Sequence, residues 1–280
     1  MNEITINWHI LEKCNYNCNY CFAKYTNDGR KEIHNSKEDI ELLLQKLYHY
    51  FSEKYHNYSI RLNLAGGEPM LSKNLYYIIE SAYKIGFTIS LITNASKLTT
   101  RFIKTNAQYI SMFAISIDSI YKKTNMEIGR STKNEILNIS KIFKHLEELK
   151  KINSSIKIKI NTVVNRYNYK EYLGDIIDLI HPFKWKVLQA LSLTDEVYCR
   201  NEEYHIFLKN HQNITSKISK ESNDDMIDSY IMLDPYGRFY QNSFGQYNYS
   251  ESILNISVDE AFKSIKFDFK KFMKRYTHEV

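Results

Sequence analysis

Short apolar runs alternate with amphipathic stretches through the first two-thirds of the chain. The strand-like runs are ITINWHI (4–10), SIRLNLA (59–65), FTISLIT (87–93), YISMFAIS (109–116), SIKIKINTVV (155–164) and KWKVLQA (184–190). Helical patterns fall between them, near 38–56, 73–85, 98–106, 133–151 and 169–180. This alternation predicts parallel βαβ units. Six strands with five helical crossovers predict an α/β fold, a partial (βα)6 TIM-like barrel with its site at the carboxyl ends of the strands. From about 191 the pattern changes. A helical stretch near 201–219 precedes a hairpin over DSYIMLDPYGRFYQN, turning at Asp234-Pro235-Tyr236-Gly237, and a last helix spans about 257–275. No repeat or low-complexity linker intervenes. Residues 1–190 are therefore expected to form the barrel, and 191–280 a C-terminal α/β extension packed on it in the same domain.

Alternate residues of a strand share a face. In SIKIKIN, Ile156, Ile158 and Ile160 oppose Lys157, Lys159 and Asn161; in SIRLNLA, Ile60, Leu62 and Leu64 oppose Arg61, Asn63 and Ala65. Asn7 and His9 share a face of the first strand, as do Lys184 and Lys186 of the sixth. Helices covering the outside would take the apolar face, leaving the polar one to point into the lumen, where ordinary barrels place branched hydrophobes. A half-exposed antiparallel sheet would show the same alternation, but the intervening helices argue against it. Arg61, Lys159, Lys184 and Lys186, with no acid on those faces, predict a lumen for a polyanion such as a phosphate chain.

Composition adds little to this. The 280 residues can build a full core. A net charge of +6, from 38 Lys+Arg against 32 Asp+Glu, is a mild basic bias that solvated surface lysines explain as well as an anionic partner does. MNEITINWHI leads straight into a strand, with no signal peptide or membrane anchor visible, so the chain is expected in the cytoplasm. The odd, close-spaced cysteine set argues against a disulfide framework.

Those cysteines are the sharpest chemical signal. Cys14, Cys18 and Cys21, spaced C-x3-C-x2-C, follow the first strand, and Cys199 stands apart as a free thiol. Three thiolates on a short loop can hold three irons of a [4Fe–4S] cube and leave the fourth open, as a catalytic metal centre does. A zinc site completed by a histidine such as His9, or chance, are the alternatives. LAGGEPML (64–71) ends the second strand and contains Gly66-Gly67-Glu68-Pro69, which standing alone could be a turn.

The cysteine loop with GGEP resembles the radical S-adenosylmethionine (SAM) enzymes. NWH, CNYNCNYCF, LAGGEPML, ITNAS, AISIDS, IGR, KINTVVNRYN, WKVLQAL, DSYIMLD and the closing FMKR narrow the resemblance to the viperin-like family, SAM-dependent nucleotide dehydratases. That resemblance implies a [4Fe–4S] cluster on Cys14, Cys18 and Cys21, and SAM held by Gly66, Gly67, Glu68, Thr93, Asn94, Ser116 and Arg130. It implies a nucleoside triphosphate held by Asn7, Arg61, Asn63, Lys159, Asn161, Lys184, Lys186 and Arg275. Tyr230 would relay a hydrogen atom or proton. Ala65 stands where many members have serine, leaving UTP and GTP open beside CTP, the commonest substrate. The product would be the 3′-deoxy-3′,4′-didehydro nucleotide, an antiviral chain terminator. A one-electron donor such as a flavodoxin or ferredoxin, a monomer, and no membrane or direct nucleic-acid partner complete the expectation.

Several residues also have ordinary readings: Thr93, Asn94 and Ser116 as turn formers, Trp185 as core, Asp118 as a cap, and Tyr230 as one of 23 tyrosines. Two other functions remain open. A radical SAM enzyme acting on a peptide or tRNA would form 5′-deoxyadenosine in response to those substrates, and a non-enzymatic Fe–S or zinc protein would not turn over SAM.

Overall fold

The computed structural model describes residues 3–23, 25, 29–133, 135–191, 198–243 and 246–275. Its elements are β1 (Glu3–His9), α1 (Lys37–Lys54), β2 (Ser59–Ala65), α2 (Leu75–Ile85), β3 (Thr88–Thr93), α3 (Thr100–Asn106), β4 (Ile110–Ser116), α4 (Lys122–Glu127), α5 (Ile139–Ile152), β5 (Lys157–Val164), α6 (Gly174–Ile180), β6 (Lys184–Gln189), α7 (Asn201–Asn210), β7 (Ile218–Glu221), α8 (Asn223–Met226), β8 (Ile231–Leu233), β9 (Arg238–Ser243), β10 (Gln246–Ser252), α9 (Val258–Lys263) and α10 (Phe269–Lys274).

Strands β1 to β7 lie side by side in chain order, each parallel to the next. Strand β8 returns to the other side of β1, also parallel, and β9 and β10 continue the sheet antiparallel. Among the described residues no pairing joins β7 to β8, so the arc is a partial barrel with an open seam.

The alternation decides which face the helices cover. Ile4, Ile6, Trp8, Ile60, Leu62, Leu64, Ile158, Ile160, Trp185 and Val187 are buried in one apolar cluster with the helices. Helix α1 contributes Ile40, Leu43, Leu44, Leu47 and Phe51, spaced along one stripe, and begins where the Ser36 hydroxyl accepts the Asp39 N–H at 3.1 Å. Each fully buried Leu or Ile contributes about 1.5–3 kcal/mol. Sheet–helix packing thus carries the core, and the opposite face is free to be polar.

The six anticipated strands lie within two residues of their expected bounds. Elsewhere the structure corrects the sequence reading. The helix expected over 133–151 starts at Ile139, where Asn138 accepts the Lys141 N–H at 2.9 Å and caps it; residue 134 lies outside the described residues. The 169–180 helix begins at Gly174, because tight turns built on Asn165 and Asn168 occupy the chain before it. The 201–219 stretch is α7, then 3-10 turns over Gln212–Lys217, then the start of β7. The closing helix is two, each with its own cap, Ser257 for α9 and Asp268 for α10. Strands β7 and β10 were not anticipated; β7 is four residues long, too short to display a period. The boundary at 190/191 adjoins residues 192–197, which lie outside the described residues. No helix among those described is long and apolar enough to cross a membrane.

Candidate active site

Loops after β1, β2, β3 and β4 meet at the carboxyl edge of the sheet over a cavity of about 330 Å³ that continues down the lumen. Every residue named from the sequence as a site candidate lines it except Glu68.

The cysteine loop is held from both sides by backbone. Gly67 and Glu68 donate their N–H groups to Leu11 and Lys13 at 2.8 and 3.0 Å, directly ahead of Cys14. On the other side Asn17 and Asn19 donate to Gly129 and Ile128, both at 3.1 Å, just beyond α4. Gly67 and Gly129 are required for this approach: a Cβ on Gly67 would fall 2.2 Å from the Lys13 carbonyl oxygen, and one on Gly129 2.0 Å from that of Asn17.

Cys14, Cys18 and Cys21 all face the cavity. Donors point at the sulfurs: the Tyr16 N–H at 3.4 Å and Asn94 Nδ2 at 3.9 Å toward Cys14, and an Arg130 guanidinium nitrogen at 3.6 Å toward Cys18. Such donors stabilise cluster-bound thiolates and set reduction potential. Burial pushes the Cys14 and Cys18 thiols up, and Arg130 counters it at both. No three His, Cys, Asp or Glu side chains among the described residues converge as ligands of one ion would. His9 has its Nδ1 against the Tyr240 and Tyr25 hydroxyls rather than against a thiol; the chemistry of the three thiols and the donors directed at their sulfurs fit a cluster that offers each its own iron.

Glu68 is fully buried, and its carboxylate accepts from Thr93 Oγ1 at 2.6 Å, the Asn94 N–H at 2.8 Å and the Met70 N–H at 3.1 Å. Burial pushes this carboxyl up, and those donors pull the other way. The acid so ties the GGEP turn to the Thr93-Asn94 turn; the groups it leaves facing the cavity are backbone and the Asn94 amide. Arg130 is fixed by Asp118, 3.0 Å from its Nε, and by the Ser116 carbonyl, which accepts from it at 2.8 Å. Asp118 also accepts from Tyr20 of the cysteine loop and from the Val163 N–H at 2.7 Å. Expected as a cap, it instead joins three walls of the site.

Below these loops the lumen is polar. Ser90 donates to Asn63 at 2.7 Å, Asn63 to Asn7 at 2.7 Å, and Asn7 to the Ile231 carbonyl at 3.2 Å, a chain crossing four strands. Lys159 pairs in register with Lys184, and Asn161 with Lys186, across β5 and β6. The expectation of an acid-free lumen is corrected. Glu3, one alternation below Thr5, pairs with Arg61 at 2.5 Å, and Arg61 also donates to Ser111 at 2.7 Å. Glu221, at the end of the unanticipated β7, pairs with Lys186 at 2.7 Å and with Arg275 at 3.0 Å. Cations still prevail on the described walls: Arg61, Arg130, Lys159, Lys184, Lys186 and Arg275 against those two acids.

Tyr230, just ahead of β8, brings its hydroxyl 2.7 Å from Lys186 Nζ and donates to Glu221, while the Arg275 guanidinium lies 3.4 Å from its ring centre. His9 is buried, with its Nδ1 hydrogen-bonded to the hydroxyls of Tyr240, at 3.0 Å, and Tyr25; burial lowers its pKa to about 3. Cys199 is buried in the segment between β6 and α7, its carbonyl accepting from Gln189 at 2.8 Å. Sequence reasoning missed Glu3, Ser90 and Glu221. The alternation of FTISLIT places Ser90 inward, and one more residue of β1 would have reached Glu3, whereas nothing in ISKE marks Glu221.

A family model described as the radical SAM superfamily matches residues 8–180. Two curated proteins described as S-adenosylmethionine-dependent nucleotide dehydratases, from Psychrobacter lutiphocae and Fibrobacter sp., are 38% and 37% identical to this chain. They match 98% and 99% of it and 95% and 89% of their own lengths. The S-adenosylmethionine-dependent nucleotide dehydratase RSAD2 of Danio rerio is 29% identical over 97% of this chain and 76% of its own. Among solved structures, anSMEcpe with bound AdoMet and the Kp18Cys peptide superposes with a TM-score of 0.72 at 16% identity, covering 96% of this chain and 84% of that one. Coproporphyrinogen III oxidase from Escherichia coli does so at 0.58 and 11%, covering 99% and 75%. At those identities the structural likeness is one of fold.

Proposed function

The chain belongs to the radical SAM superfamily and, within it, to the S-adenosylmethionine-dependent nucleotide dehydratases; from that premise we propose that it converts a nucleoside triphosphate to its 3′-deoxy-3′,4′-didehydro analogue. CTP is the first candidate, with UTP and GTP the alternatives, and the product is a chain terminator of antiviral use. The observation that carries this reading is one cavity lined both by the three thiols and by Lys159, Lys184, Lys186 and Arg275.

When bound, the [4Fe–4S] cluster and SAM supply a 5′-deoxyadenosyl radical that removes hydrogen from C4′ of the ribose. Cys14, Cys18 and Cys21 would hold the cluster, with Asn94 and Arg130 donating toward the Cys14 and Cys18 sulfurs. Gly66 and Gly67 would let backbone approach the SAM methionine, with Thr93, Asn94, Ser116 and Arg130 around it; Glu68 holds Thr93 by its hydroxyl and Asn94 by its backbone N–H. Lys159, Lys184, Lys186 and Arg275 bind the phosphates, with Arg61 beneath them in its pair with Glu3, so that remote binding energy orients the sugar. Asn7, Asn63 and Asn161 offer amides to the sugar and base. Loss of the 3′-hydroxyl as water takes one electron and one proton. Tyr230 holds a proton at Oη within the same wall, where Lys186 and Glu221 fix it. The electron comes from a carrier such as a flavodoxin or ferredoxin, and the enzyme works as a cytoplasmic monomer.

Anaerobic incubation of the reconstituted protein with SAM, dithionite and CTP, UTP or GTP in turn tests the reading by mass spectrometry. The expected result is nucleotide-stimulated 5′-deoxyadenosine and a product lighter than its substrate by one water. Stimulation by a peptide or RNA with none by nucleotides would overturn it.

A further inference from the structure

Glu221 is a buried carboxylate in a wall otherwise built for anions, 5% exposed at its side chain. Its two oxygens serve different partners. Oε1 lies 2.7 Å from Lys186 Nζ and 3.0 Å from Arg275 Nε, while Oε2 accepts the Tyr230 hydroxyl proton. The partners also touch each other. Lys186 Nζ donates to Tyr230 Oη at 2.7 Å, and Arg275 covers the Tyr230 ring and donates to the Ser229 carbonyl at 2.7 Å. Lys186 belongs to β6, Glu221 to β7, Tyr230 to the entry of β8, and Arg275 follows α10. This one cluster therefore bridges the open seam, where no strand pairing among the described residues joins β7 to β8.

On charge alone an acid beside a phosphate site opposes substrate binding. Its burial there needs another reason, and the split of its two oxygens supplies one. We propose that Glu221 is a positioning residue: it binds Lys186, Arg275 and Tyr230 into one unit across the seam and so couples phosphate binding to placement of the Tyr230 hydroxyl. A phosphate that draws Lys186 and Arg275 acts on the same carboxylate that holds the tyrosine proton. With Glu221 neutral, Lys186 and Arg275 lose their shared anion and Tyr230 its strong acceptor. This rests on the nucleotide dehydratase reading above.

The test uses the reconstituted holoenzyme with the nucleotide the parent turns over best, comparing E221Q and E221D. The readouts are nucleotide KM and the ratio of 5′-deoxyadenosine to dehydrated nucleotide. E221Q is expected to keep cluster absorption and SAM binding. Its nucleotide KM should rise about tenfold or more, the scale of lost charge-assisted hydrogen bonds, and its ratio should rise severalfold. E221D, which keeps the charge, should recover much of the KM and less of the ratio. In a Tyr230→Phe background E221Q should change the ratio no further, since the effect passes through the tyrosine. A lowered KM in E221Q, as simple repulsion predicts, or a ratio equal to the parent's, overturns the proposal. Should E221Q fail to fold, E221D decides: a raised ratio supports the proposal and an unchanged one ends it. A parent that makes no 5′-deoxyadenosine in response to any nucleotide contradicts the functional reading instead.

Discussion

At the scale of the single residue, surroundings separate side chains of one type. Cys14, Cys18 and Cys21 line the cavity, whereas Cys199 is fully buried and its thiol is pushed up to about 12 by burial. The thiolate is the reactive form. Cluster-free protein treated with iodoacetamide at pH 8 should therefore carry label on the first three and none on Cys199, read by peptide mass spectrometry. Labelling of Cys199 at a matching rate would contradict its placement. His9 gives a pH prediction. Its folded pKa of about 3 lies below the ordinary 6.5, so between those values the unfolded chain binds a proton that the folded one refuses. The stability His9 contributes is complete above about pH 6.5 and is lost on acidification, by up to about 1.4 kcal/mol per pH unit. Thermal unfolding between pH 7 and 4 should fall more steeply for the parent than for His9→Gln, and parallel slopes would sink the assignment. Alternation alone identified Asn7, Asn63 and Lys159 as inward, because a strand's period is two. It was silent on Glu68, whose position depends on partners 25 and 26 residues away.

At the scale of the element, the cysteine loop has its shape imposed by neighbours. The GGEP turn grips one side and the segment after α4 the other, each through backbone hydrogen bonds and a glycine against a carbonyl oxygen. Gly67→Ala and Gly129→Ala are expected to lower the iron and sulfide bound per chain after reconstitution, because an added Cβ must move the loop. Gly29→Ala is the control: its φ of +78° matches the +73° of Gly129, yet its Cβ would meet nothing within 4 Å. Equal cluster content in Gly29→Ala and Gly129→Ala, measured by iron assay, would show that backbone strain rather than contact matters. Strand periods were legible in the sequence because helices cover their apolar faces. The short β7 was not, since four residues carry no period and its place beside β6 is a tertiary fact.

At the scale of the whole molecule, electrostatics is concentrated inward. Net charge is only +6, but six cations and two acids share the described cavity walls. Low-dielectric walls focus such a field on an entering polyanion. Raising salt from about 0.05 to about 0.5 M should raise nucleotide KM several-fold, since the Debye length falls from roughly 14 to 4 Å, and should alter SAM affinity much less. Equal salt sensitivity for both ligands in steady-state assays would count against the cationic lumen as the phosphate site.

Local pattern determined the parallel strands, their polar inner face, the thiol triplet and the glycine-rich turn. Each is written in a short window of chain, by periodicity or by residue type at fixed spacing. The pairing of charges was decided by tertiary structure alone. Arg61 meets Glu3 across neighbouring strands, Arg130 meets Asp118 beneath the cysteine loop, and Glu221 gathers Lys186, Tyr230 and Arg275 across a seam. Such contacts join residues 9 to 58 positions apart, and no local period records which of many lysines and glutamates will meet once the barrel curls.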